Sequence, residues 1–310
     1  MYRRISVPLD GTSHSLEALN LAIGIARQAD CPVELVTVAL VKQYDNELHD
    51  VRVRNAEIDA LRRDARETLQ RAAADVEARG VASSTVLLEG AVPDVLADHF
   101  RSGAADLVVM TTHDHGRLER LLMGSVAESV VRDVHVPVLL VHAGAAAPTP
   151  SEARRIRRVL VAIDGSPFGD QVIPHAARLA KLMNAEITLL SVIQPLLAAA
   201  ALGTAPGLSG SIAPPLPTDL EHADSSEFVS SVLEERAQSL RREGVTVHAA
   251  AISDGNPSRA IIDYAHANDI DLIAMTTHGR GALKRLVAGS VSRAVLRASR
   301  TPMLMYRPQM

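Results

Sequence analysis

The chain has 310 residues, 47% of them apolar and only 2% aromatic, with no Trp. That length suits about two domains, and cores so poor in aromatics must be packed from Val, Leu, Ile and Ala, as in buried parallel strands flanked by alanine-rich helices. A formal net charge of −4 without a long basic block argues against nucleic acid as a partner, because neutralising phosphates takes clustered Lys and Arg.

The opening residues, MYRRISVPLDG, are basic but lack the apolar core of a signal peptide. No apolar run is long enough to span a bilayer, so the expectation is a soluble, cytoplasmic protein. Apolar β-branched residues at 5–9 read as a first strand. A helix follows over 15–29, with Leu16, Leu19, Ile23 and Ala26 at helical spacing. The single cysteine, Cys31, just before the next strand, rules out an internal disulfide or a cysteine metal site and reads as a small buried hydrophobe. Strand 34–38 leads to a long charged amphipathic helix over 55–79, with a solvated outer face and a C-cap signal at Gly80. Strand 85–88, a helix over 94–101 behind Pro93, and strands 107–110 and 138–141 complete five strands. This alternation predicts a parallel α/β sheet with right-handed crossovers.

The second half repeats the first in the same order. RRISVPLDGTS from Arg3 is matched by RRVLVAIDGSP from Arg157, TTHDHGRLERLLMGS from Thr111 by TTHGRGALKRLVAGS from Thr276, and HVPVLLV from His135 by RTPMLMY from Arg300. A preserved order over this length is a domain duplication and not a short-period solenoid. The expected organisation is a first domain at 1–144, a linker at 145–155 rich in Ala, Pro and Ser, and a second domain at 156–310. The second domain carries a long Ala-, Gly- and Pro-rich loop at 194–226.

In open parallel sheets ligands bind beyond the carboxyl ends of the strands. Three stretches of each half fall there. The first holds Asp10 or Asp164, which suits either a ribose hydroxyl or the N-cap of the next helix; the two roles are compatible. The second is the end of strand two, at Val38 or Val192. The third is the turn beginning at Thr276, whose Gly279 permits close backbone approach, with Gly289-Ser290 opening a helix whose N–H groups favour an anion.

The VAIDGS start and the THGRG…GS stretch followed by TPML resemble the universal stress protein family in a tandem two-domain form, over nearly the whole chain. The resemblance implies two Rossmann-like, adenine-nucleotide-binding domains with five-stranded parallel sheets, paired as an intramolecular pseudo-dimer, with association between chains left open. ATP-binding members of the family carry G-x2-G-x9-G-[S/T]. In the second half this falls on Thr276, Gly279, Gly289 and Ser290, with Thr in place of the first glycine. The nucleotide residues implied are Ala162, Ile163 and Asp164 after the first strand of that half, and Val192 after its second. Around the turn they are Met275, Thr276, His278, Gly279 and Arg280, and at the helix start Gly289, Ser290 and Val291. In the first half the pattern positions are Thr111, Asp114, Gly124 and Ser125. Asp114 sets a carboxylate where phosphates should sit, which at ~4 Å costs on the order of 1–4 kcal/mol at surface-like dielectrics. The first half is therefore expected to support the second structurally.

The expected ligand is ATP, accompanied by Mg²⁺ held mainly by phosphates and water, with ADP or AMP as other occupants. The expected role is a stress-response sensor that acts through contacts to unknown protein partners. The chain lacks a nucleophile elbow and a triad pattern, so no catalytic residue is assigned. His113, Asp114 and His115 are suitable metal ligand types, but a third ligand is not visible and no metal site is assigned. A nucleotide-free interaction module and a slow ATPase or phosphotransfer enzyme are the alternative readings.

Overall fold

The computed structural model describes residues 2–40, 51–112, 124–142, 155–194, 226–277 and 289–309, with 51–55 and 226 by backbone alone. The first half contributes β1 (Ile5–Pro8), α1 (Ser13–Ala29), β2 (Val33–Ala39), α2 (Val51–Ala78), β3 (Ser83–Glu89), α3 (Val92–Arg101), β4 (Leu107–Thr111), α4 (Ser125–Asp133) and β5 (Val138–Val141). The second contributes β6 (Arg158–Ala162), α5 (Pro167–Asp170), α6 (Ile173–Met183), β7 (Glu186–Ile193), α7 (Ser226–Arg242), β8 (Val247–Ser253), α8 (Pro257–Ala267), β9 (Leu272–Thr276), α9 (Ser290–Ala298) and β10 (Met303–Tyr306). The chain divides into two compact units, Met1–Arg155 with Pro302–Gln309, and Ile156–Thr301.

In the first unit the strand order is β3-β2-β1-β4-β5-β10. β1 is parallel to both β2 and β4, with Ile5 opposite Val33 and Leu107. The expected parallel pattern ends at β5, whose other neighbour, β10, runs antiparallel with Met303 opposite Leu140. The final strand of the chain thus covers the apolar edge that β5 would otherwise expose, and both strands are buried throughout. Inner strands are near-continuous hydrophobic runs: Ile5, Val7, Leu107, Val108 and Val109 are fully enclosed. Burial of each such side chain contributes roughly 1.5–3 kcal/mol relative to exposure.

α1 begins at Ser13 because Thr12 caps it, its Oγ1 accepting from the Ser15 N–H at 3.3 Å. The core face of α1 consists of Ala18, Leu19, Ala22, Ile23, Ile25 and Ala26. Leu16, expected on that face, is instead 47% exposed. α2 buries Ala65, Leu69, Ala72 and Val76, and the chain leaves it through Gly80 at φ +77.

In the second unit the strand order is β9-β6-β7-β8 and every pairing is parallel. Here the first helix is split into α5 and α6. Pro174 lies in the first turn of α6 and lacks the N–H that would continue α5, whereas the matching residue of the unbroken α1 is Asn20. α8 and α9 pack against each other, and α7 lies along β7 and β8.

Candidate functional site

In the second unit β6 lies between β7 and β9. The chain leaves β6 toward β7 on one side and returns to β9 on the other, so the crevice beyond β6 and β9 is the switch point where open α/β sheets bind ligands. The pairing of Val161 with Ala274 brings Ala162 beside Met275 at the carboxyl edge. Ala162, Ile163, Met275 and Thr276 are buried there. Val192 is half-buried near the end of β7, opposite Ile252 of β8. The Ile163 N–H is spent on the Leu190 carbonyl at 2.9 Å, which fixes where β6 ends.

The turn out of β6 is built by three residues. Gly165 takes φ +76, a left-handed conformation open to glycine without penalty. Asp164 Oδ1 accepts from both the Ser166 N–H at 3.0 Å and the Ser166 hydroxyl at 2.6 Å. The Ser166 hydroxyl in turn accepts from the Gly169 N–H at 3.0 Å, so Ser166 is the N-cap of α5. The first half repeats this, with Asp10 Oδ1 accepting from the Thr12 N–H at 2.9 Å and hydroxyl at 2.6 Å. The N-cap role open to Asp10 and Asp164 therefore belongs to Thr12 and Ser166. The carboxylates orient the capping residues through an Asx turn.

At the far side of the site, Gly289 is the N-cap of α9, and its N–H donates to the Thr277 carbonyl. That bond ties the start of α9 to the residue after β9. The first half has the same bond, Gly124 N–H to Thr112 carbonyl at 3.0 Å. The Gly289 N–H thus has a main-chain acceptor in this structure. The first-turn N–H groups of Ser290 and Val291 have no acceptor within the helix, and Ser290 is exposed. His278, Gly279 and Arg280 lie outside the described residues, as do His113, Asp114, His115, linker residues 145–154 and the long loop from 195 to 225.

One polar cluster has no counterpart among the sequence expectations. Glu34, with a side chain only 4% exposed, accepts from the Ser6 hydroxyl at 2.5 Å, from Arg4 Nη1 at 3.2 Å and from His99 Nε2 at 2.9 Å. It sits at the amino ends of β1 and β2, away from the crevice. Its one sequence signal is an acidic residue inside an apolar strand. Among the described residues no group of three or more His, Cys, Asp or Glu could hold a metal ion, and no helix is long and apolar enough to cross a membrane.

The universal stress protein family model matches residues 1–142 and again 155–307. The chain belongs to the universal stress protein family. Each half carries one copy of the family's domain. A universal stress protein of Methanocaldococcus jannaschii is 35% identical over 141 residues, 46% of this chain and 82% of that protein. One from Mycolicibacterium smegmatis is 27% identical over 311 residues, covering 98% of this chain and 97% of that one, so a tandem relative matches end to end. The crystal structure of a universal stress protein from Archaeoglobus fulgidus superposes with a TM-score of 0.69 at 20% identity, covering 98% of this chain and 96% of the other. That likeness supports the fold alone.

Proposed function

We propose that the protein is an adenine-nucleotide sensor that holds ATP in its second half, in the crevice beyond β6 and β9. The observation that carries this reading is the convergence there of Asp164, the buried edge formed by Ala162 and Met275, and the start of α9. Asp164 would bond ribose hydroxyls, and the first-turn N–H groups of Ser290 and Val291, with Gly279, would face the phosphates, with Mg²⁺ carried in on them. The reading takes the second domain as residues 156–310. It assigns no chemical step: ligand occupancy shifts the protein between states that partners distinguish, and the shift is limited by the ligand's differential affinity for them.

The first half shares the bond at Gly124 and the Asp10 turn but carries Asp114 in its glycine pattern, so we assign it a supporting role. Chromatography of nucleotide released from the denatured, purified protein, followed by titration of ATP into stripped protein, tests the reading. One equivalent per chain is expected. Absence of retained or titratable nucleotide would favour the nucleotide-free interaction module, and ADP formed in a single turnover would favour a slow ATPase.

A further inference from the structure

Asp164 is usable as a ribose ligand only if its carboxylate is held still, and the residue that permits this is a glycine. Oδ1 is pinned by two donors of Ser166, the N–H at 3.0 Å and the hydroxyl at 2.6 Å. The Ser166 hydroxyl is itself oriented by the Gly169 N–H at 3.0 Å. The three residues form one relay, from the Gly169 N–H through the Ser166 hydroxyl to Asp164. Gly169 is buried, and a Cβ built on it would overlap Asp164 Oδ1 while meeting Ser166 Oγ at 3.3 Å and Asp164 Cγ at 3.5 Å. Backbone conformation does not demand glycine here, since Gly169 is not among the glycines with positive φ. The space is what demands it. The first half is built differently: the matching position is Ser15, whose N–H bonds the Thr12 hydroxyl at 3.3 Å while its own hydroxyl donates to the Thr12 carbonyl at 2.9 Å.

We propose that Gly169 and Ser166 are positioning residues for the nucleotide, acting only through the Asp164 carboxylate, and that Gly169 is needed because any side chain drives that carboxylate off Ser166. The proposal rests on the nucleotide reading of the second half. The obstacle a methyl group meets is the tip of a side chain and not the main chain, so Gly169→Ala shifts Asp164 without breaking β6 or α5. Fold and ligand recognition then respond differently to the same substitution.

The test is a cycle of Gly169→Ala, Asp164→Ala and the double variant in the full chain, read by ATP and 3′-deoxy-ATP affinity and by thermal melts without ligand. Wild type binds ATP more tightly than the deoxy analogue. Gly169→Ala lowers ATP affinity roughly tenfold, the scale of one lost charge-assisted hydrogen bond, and lowers that of the analogue, which lacks one of the hydroxyls, by less, so that discrimination between the two shrinks. In the Asp164→Ala background Gly169→Ala has no further effect on binding, and its effect on the melt disappears because the overlapping carboxylate is gone. Undiminished discrimination by Gly169→Ala would overturn the proposal. So would an equal loss in both backgrounds, for then the glycine acts by another route. The ligand-free melts keep the two readings apart: coupling of 164 and 169 in the melts with no ATP binding by wild type would sink the nucleotide reading and the ligand role with it, leaving only the relay.

Discussion

The guanidinium of Arg307 donates to the main-chain carbonyl of Arg132, 175 positions away, at the last turn of α4. That carbonyl is one of those a helix C-terminus leaves without an internal partner. Asp133 stands beside it, its carboxyl held below the usual range chiefly by the Arg132 guanidinium, with Arg307 adding to the effect. The end of the chain is thereby latched to the first unit just beyond β10. Arg307→Ala should cost about 1 kcal/mol. Hydrogen exchange should report it as faster exchange in α4, β5 and β10, with β7 and β8 unchanged; uniform acceleration everywhere would contradict the latch.

The buried cluster around Glu34 makes a second prediction. In the second half the matching positions are Leu160, Thr188 and Tyr264, an arrangement without the charge. Glu34→Ala alone leaves Ser6, Arg4 and His99 without their acceptor and should cost about 3 kcal/mol in urea unfolding. Exchanging all three side chains at once, Ser6→Leu, Glu34→Thr and His99→Tyr, should recover most of that loss, because a buried ionic cluster and a well-packed substitute are often close in stability. A triple variant as unstable as the single one would show that the cluster is specifically required.

The His175 imidazole is pushed down to about 4, first by burial and then by the nearby Arg178 cation. The unfolded chain, with His near 6.5, therefore binds the proton more readily. The stability that depends on neutral His175 is complete above about pH 6.5, declines as pH falls through the interval down to about 4, and is gone below it. His175→Gln should flatten that part of the stability profile, measured as the urea midpoint at pH 7 and pH 5. An unchanged slope would mean that other groups carry it.

Much of the architecture was legible in the sequence because it depends on local patterns. The run LVVM at 107–110 is apolar on both faces, as suits a strand buried in a parallel sheet, and β4 covers it. The turn after the first strand of each half was legible for the same reason, as Asp-Gly followed by a hydroxyl residue at Asp10 and again at Asp164. The identity of the cap was not, since a short Asx side chain and the hydroxyl two residues on both suit the position, and only the bond lengths assign the cap to Ser166. The Glu34 cluster draws on residues at 4, 6 and 99, whose meeting depends on tertiary packing. The membership of β10 in the first unit escapes any repeat-based reading, because RTPMLMY has the same pattern whichever edge it covers. Gly169 gave no signal, for PFGD reads as an ordinary turn and the crowding comes from Asp164.

In the proposed function ATP binds the second half, where the glycine pattern would admit its phosphates. The most direct measurement is calorimetric titration of ATP into stripped full-length protein, wild type against Gly279→Asp, which gives the second half the residue found at Asp114 in the first. One site per chain is predicted for wild type, with affinity lowered at least about fivefold by the new carboxylate. Two equivalent sites, or an affinity untouched by Gly279→Asp, would contradict the account.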